Sequence, residues 1–553
     1  MLKHISTFLL STFLLFFIVA CTTEGLVPEG KGIKISGKIT FDRVPVKIGN
    51  YGMISLDYSN IQIVSAPNVL IKALNENGQV LYQTTSDSNG KYTVYVPKDS
   101  NVKIRVYARM LKENHWDVSV VDNTNTDAMY VIEGRLNDSG SKPSERNLHA
   151  ASGWDGQGYT GTRDAAPFAI LDSINTVMQK VVEVKPSVVF PELTVNWSIN
   201  NIAAGGDKSL GQIVTSNYDG ESNLWILGDA NSDTDEYDDH IIIHEWGHFF
   251  EDKFSRSDSI GGPHSSGDAL DIRVAFGEGF GNALSAIATD NPLYFDTSGY
   301  GQASGWAMNI ETATAQNPGW FSEASVQRIL YDLYDDNNDG GDRLHLGFAP
   351  IFEAMVNQER NAPAFTSIFS FIHALKSENS SEAIKIDEVV SKENIASIHD
   401  IYGKYRSNSA NGTYTTPIYR DLSVGRWITQ CNQNTYGVYN KLGNRTFIRV
   451  KIDKSDIYNF EAKPYGGDYG DPDIVIYKAE YPLKQMGMSP LEGSSSDTLS
   501  INLTPGNYLV EVYDASFNNS CFVVKLNIDE TVYTSTKMSK TKGMRKPFRM
   551  PQF

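Results

Sequence analysis

The chain opens with an apolar run over residues 8–20, interrupted only by Ser11-Thr12, preceded by Lys3 and His4 and ending on Ile18-Val19-Ala20-Cys21. That run is short for a membrane span and has the layout of a secretory signal. From residue 32 the pattern alternates. Residues 33–39, 69–73 and 102–106 place apolar side chains at every second position, as strands with one buried face do. Asn89-Gly90, between residues 79–86 and 91–96, is a strong hairpin signal. A stretch rich in Asn, Ser, Gly and Pro (137–161) then reads either as a linker or as a segment packed on the unit that follows. Leu171, Ile174, Val177, Met178 and Val181 recur at helical spacing, and 193–199 and 223–227 read as strands. Ile241, Ile242, Phe249 and Phe250 supply the apolar faces of another helix. Asp235, Glu236, Asp238 and Asp239 crowd its N-terminal end, where the helix dipole favours negative charge. A further helical pattern opens at Glu278, an amphipathic one spans 325–334, and others come at 352–355, 365–375 and 395–405. From about residue 411 strands return, at 446–452, 457–462, 474–477, 507–513 and 522–528. The last segment, 531–553, carries six basic residues and no acid after Thr531, and reads as a disordered tail.

These patterns predict a multidomain α+β chain with a mostly helical centre flanked by an N-terminal and a C-terminal β-sandwich. The expected division is a signal peptide at 1–20, a tether at 21–32, a sandwich at 33–135, a mostly helical central unit at 136–410, a second sandwich at 411–530 and the tail. With 553 residues the chain is too long for one core. A net charge of −18 argues against nucleic acid as a partner. Besides Cys21, the only cysteines are Cys431 and Cys521, both in the second sandwich, where an extracytoplasmic chain could pair them or leave two buried thiols.

The chemistry concentrates in His244-Glu245-x-x-His248. Residues four apart on a helix share a face, so His244 and His248 can offer two imidazole nitrogens to one zinc ion. Glu245 stands beside them as a base for a water proton. Downstream, Glu278 lies among Gly277, Gly279 and Gly281 in an otherwise apolar stretch, a poor place for a solvated surface acid. It would complete a His2Glu set with one position left open.

At these two motifs the chain resembles the thermolysin-like zinc peptidases, or gluzincins, over roughly residues 165–345. The resemblance implies a zinc-dependent metallopeptidase acting on protein or peptide substrates, with His244, His248 and Glu278 as ligands and Glu245 as general base. The family often carries an aspartate one turn after the ligand glutamate to orient a histidine; here that position is Asn282, which can still accept an N–H bond. The family also places a Tyr or His to donate to the developing oxyanion. His264 in the loop 258–268 is the candidate, with His345 and Tyr331 as alternatives. Its strand beside the cleft would be 223–227, with a covered edge as the other reading.

Other resemblances fill in the surroundings. Ala20-Cys21 resembles a bacterial lipobox, which implies a lipid on Cys21, extracytoplasmic anchoring to a membrane and, with Thr22 next, an outer-membrane or cell-surface location. The first sandwich is similar to carboxypeptidase regulatory-like modules. Asp471-Pro472-Asp473-Ile474 and Pro505-Gly506-Asn507-Tyr508 resemble the pre-peptidase C-terminal sandwich, in which Asp468, Asp471 and Asp473 would bind calcium or shape a turn. Asp335, Asn337 and Asp339, with Gly340 next, match the first half of an EF-hand loop, making calcium a second candidate cofactor, although the closing glutamate is missing. The rival to the enzyme is a surface binding protein that has lost turnover, and a third reading is an exopeptidase.

Overall fold

The computed structural model describes residues 27–49, 53–336, 343–407, 417–466, 469–489, 493 and 495–529. The signal run, Cys21, Asn337, Asp339, Asp468 and the basic tail lie outside the described residues.

Alternation produces strands where it is strongest. Asn101–Lys112 buries Val102, Ile104, Val106, Ala108 and Met110 on one face. It pairs on one side with Val69–Asn75, itself next to Val80–Thr85, and on the other with Trp116–Asp122. The Asn-Gly turn forms, with Gly90 at φ +72° and its N–H donated to Asp87 O. Its two arms nevertheless part company: Lys91–Val96 pairs with Ile33–Arg43 and not with Val80–Thr85. The turn is pressed against that third strand, since Gly90 O accepts from Ile39 N and a Cβ on Gly90 would lie 2.4 Å from Ile39 O.

The expected boundary between a first sandwich and a catalytic unit does not describe this fold. Trp116–Asp122 pairs in parallel with Leu193–Trp197, which pairs in parallel with Asn223–Ile226. One sheet therefore runs from the N-terminal strands into those that precede the helix carrying His244 and His248. The stretch 137–161 is no free linker either, because Ser144–Glu145 and Leu148–Ala150 lie parallel on Ile33–Arg43. An open strand edge recruits whatever strand is at hand. The helix α1 (Ala166–Val184) covers this sheet with Phe168, Leu171, Ile174, Val177 and Val181, in a core shared with Ile71, Val106 and Val195.

Beneath it pack α2 (Asp239–Phe254), α3 (Ile272–Thr289) and α4 (Glu323–Tyr334). The pattern placed the start of α3 at Glu278; it begins at Ile272, where the Asp271 side chain accepts from Arg273 N at 3.0 Å. Gly279 and Gly281 thus sit inside a helix, at a propensity cost of about 1 kcal/mol each. Close approach is the return. A Cβ on Gly279 would lie 2.5 Å from Val326 Cβ of α4, and one on Gly281 2.9 Å from His244 Nδ1 of α2.

The C-terminal sandwich is built as its pattern predicts, from two sheets around Ile448, Phe460, Val510 and Val524. Cys431 and Cys521 face each other on neighbouring strands of one sheet and are joined by a disulfide, with Cα atoms 3.9 Å apart. No helix among the described residues is long and apolar enough to cross a membrane.

Candidate active site

Helical spacing brings His244 and His248 onto one face of α2, with their Nε2 atoms 3.1 Å apart. From α3, Glu278 Oε2 lies 3.2 Å from His244 Nε2 and 3.5 Å from His248 Nε2. All three side chains are buried. The circle through those three atoms has a radius of about 1.9 Å, so a point just out of their plane lies at zinc–ligand bonding distance (about 2.0–2.2 Å) from each.

Hydrogen bonds behind the imidazoles decide which way the lone pairs point. His244 Nδ1 donates to Asn282 Oδ1 at 2.7 Å, and the Asn282 amide is itself fixed by donating to Gln327 Oε1 at 2.8 Å. His248 Nδ1 faces Glu251 Oε2 at 3.3 Å. With each Nδ1 held by an acceptor, the two Nε2 atoms are the ones turned toward one another and toward the Glu278 carboxylate. Burial would raise the Glu278 carboxyl, but His264 and His248 hold it well below the usual range, so it is ionised. Two such nitrogens and a carboxylate oxygen, converging on one point, fit a zinc ion, which would take the place of the imidazole protons there.

Glu245 is buried next to this set, and its Oε2 accepts from the backbone N–H of Tyr218 at 2.9 Å. Burial raises its carboxyl, while His244 and His248 pull it back. Tyr218 corrects the expected substrate edge. Asn217–Tyr218 pairs along the outer side of Asn223–Ile226, so 223–227 is covered and the strand edge at Glu245 is 217–218.

Of the three candidate oxyanion donors, the fold brings His264 to the site. Its Nδ1 donates to Gly262 O at 3.1 Å, and its Nε2 lies 3.3 Å from Glu278 Oε2 and 3.5 Å from Glu323 Oε2. Glu323 starts α4, whereas Tyr331 sits towards the other end of that helix, about 12 Å further along its axis. His345 binds the Asp335 carbonyl beyond that end at 2.8 Å. Asp335 is buried as the cap of α4.

No motif points to Glu251, Gln327 or Glu323. Glu251 could have been found, being three residues beyond His248 on one helix face. Gln327 and Glu323 arrive from α4 and carry no local signal. Glu323 Oε2 is buried without a hydrogen-bond partner among the described residues, and burial pushes its carboxyl up to about 7 against the pull of His264. A separate acidic group, Asp233, Asp235 and Asp296, also converges, its oxygens lying within 4.8 Å of one another.

A family model described as the Mycolysin C-terminal domain matches residues 192–384. That stretch runs from the strand before Glu245's neighbours through α2, α3 and α4, and contains every residue of the site. None of the curated proteins matches the chain. Among solved structures, the pre-peptidase C-terminal domain of a collagenase from Bacillus anthracis is 9% identical, with 20% of this chain and 93% of that one covered at a TM-score of 0.16. The PliG lysozyme inhibitor of Aeromonas hydrophila is 11% identical over 20% of this chain and 98% of its own, at a TM-score of 0.13. Likenesses at that level fix neither fold nor activity. The matched stretch and the architecture together make this a peptidase-related, multidomain α+β chain.

Proposed function

We propose that the chain is a zinc-dependent metallopeptidase that hydrolyses peptide bonds, with His244, His248 and Glu278 as ligands and Glu245 as general base. The observation that carries this reading is the convergence of two oriented imidazole nitrogens and an ionised carboxylate beside a second buried carboxylate, that of Glu245. Zinc bound there supplies Lewis acidity toward water and the substrate carbonyl. Everything else falls to the protein. Asn282 and Glu251 hold the two imidazoles in the ligating tautomer. Glu245, its carboxyl raised by burial, takes a proton from the attacking water and returns it to the leaving amine. His264 reaches the site from the opposite loop and donates from Nε2 to the carbonyl oxygen as charge develops on it. The same reading places the enzyme outside the cytoplasm, held to a bacterial membrane by lipid on Cys21.

Glu245→Gln tests the reading because it keeps the size of the side chain and removes the base. Zinc content should be unchanged, while cleavage of a broad peptide library should fall by about 10²–10⁴-fold. His244→Ala should lose both metal and cleavage. Equal cleavage by wild type and Glu245→Gln, including none by either, would sink the hydrolase and leave a surface binding protein.

A further inference from the structure

By sequence, the loop between α2 and α3 that carries His264 belongs to the helical unit. Its shape, however, is set from the C-terminal sandwich. Four consecutive residues there take hold of it. Tyr439 Oη donates to Ile260 O at 3.2 Å, Asn440 Nδ2 to Gly261 O at 3.0 Å, and Lys441 Nζ to Pro263 O at 2.6 Å. Lys441 Nζ also pairs with Asp268 at 3.2 Å. Main-chain bonds finish the contact, from Asp271 N to Asn440 O at 2.8 Å and from Leu442 N to Ala269 O at 2.9 Å.

The carbonyls on both sides of Gly262 are thereby committed to the sandwich, and the Gly262 carbonyl is the one that accepts from His264 Nδ1. Gly262 has φ +101°, and a Cβ there would lie 2.7 Å from a ring carbon of Tyr439. A main chain fixed on each side leaves that carbonyl one direction, and the carbonyl in turn aims the imidazole. Glu323 bounds the other end of the ring at 3.5 Å.

We propose that residues 439–442 are a positioning element of the active site: by clamping the main chain around Gly262 they aim His264, so the C-terminal sandwich completes the catalytic unit. The catalytic consequence rests on the peptidase reading; the clamp does not. Tyr439→Phe combined with Lys441→Met, in the full chain, removes three of the four side-chain contacts with little change in shape. Amide hydrogen exchange over residues 259–268 should speed up. kcat should fall by about 10–100-fold, because a misaimed group loses effect steeply, with KM and zinc content unchanged. In a His264→Ala background the same pair should cause no further loss, because the clamp acts through that residue. Each single substitution should move in the same direction, which guards against misfolding of the pair. Equal losses of kcat in both backgrounds, or unchanged exchange, would overturn the proposal. If wild type cleaves nothing, the peptidase reading falls, and the exchange measurement alone decides the clamp.

Discussion

Glu511→Gln should cost about 3 kcal/mol of stability at neutral pH, and the cost should vanish in acid. Glu511 lies on the strand Gly506–Asp514 and is 1% exposed. It accepts from Arg445 Nη1 at 2.6 Å, from Arg273 Nη2 and Nη1 at 3.0 and 3.2 Å, and from Tyr477 Oη at 3.1 Å. Arg273 stands at the start of α3, so the network joins the sandwich to the helix that carries Glu278. Burial alone would raise the Glu511 carboxyl, but Arg273 and Arg445 hold it down from 4.5 to about 2. That difference corresponds to about 3 kcal/mol. Truncating one partner of a buried charge cluster gives a similar figure, about 3–5 kcal/mol. Because the folded-state value is the depressed one, the stabilisation is present above about pH 4.5 and is lost as pH falls toward 2. Urea denaturation of both proteins at pH 7, 4 and 3 measures it. The gap should be widest at pH 7 and narrow steadily below 4.5. A loss under about 1 kcal/mol at pH 7, or one that does not change with pH, would refute the argument. Docking would then rest on packing, in which Arg273 also lies over the Phe365 and Phe447 rings at 4.7 and 4.9 Å.

Asn282→Leu removes the acceptor at His244 Nδ1, and zinc affinity, read by competition with a chelator, should drop by about 10–100-fold; unchanged affinity would mean the amide does not orient the ring. Gly281→Ala puts a methyl 2.9 Å from His244 Nδ1, so metal analysis should show less zinc per chain although helix propensity improves; full zinc occupancy would show that the imidazole can give way. Replacing Cys431 and Cys521 together by Ala opens a loop with a sequence separation of 90. Melting of the C-terminal sandwich should reveal a loss of about 2–5 kcal/mol, and an unaltered transition would contradict the constraint assigned to the bond.

Part of this protein was legible from local pattern alone. Period-two alternation located Arg445–Ile452, Asp456–Pro464 and Gly506–Asp514 to within a residue or two, because in a two-layer sandwich each strand answers only to its own buried face. Helical spacing put His244 and His248 on one face for the same local reason. The glycines around Glu278 announced a crowded helix, although its start at Ile272 depended on a cap and on burial from all sides. Whatever required two distant stretches to meet could not be read that way. Lys91–Val96 left its hairpin for Ile33–Arg43, and the edge of Trp116–Asp122 took Leu193–Trp197, because strand edges pair by backbone hydrogen bonds that carry no residue signature. Gln327 and Glu323 reach the site from α4, and Tyr439, Asn440 and Lys441 from the far sandwich. The motif named the candidate groups; only the packing of helix on helix and domain on domain decided which side chains hold them in place.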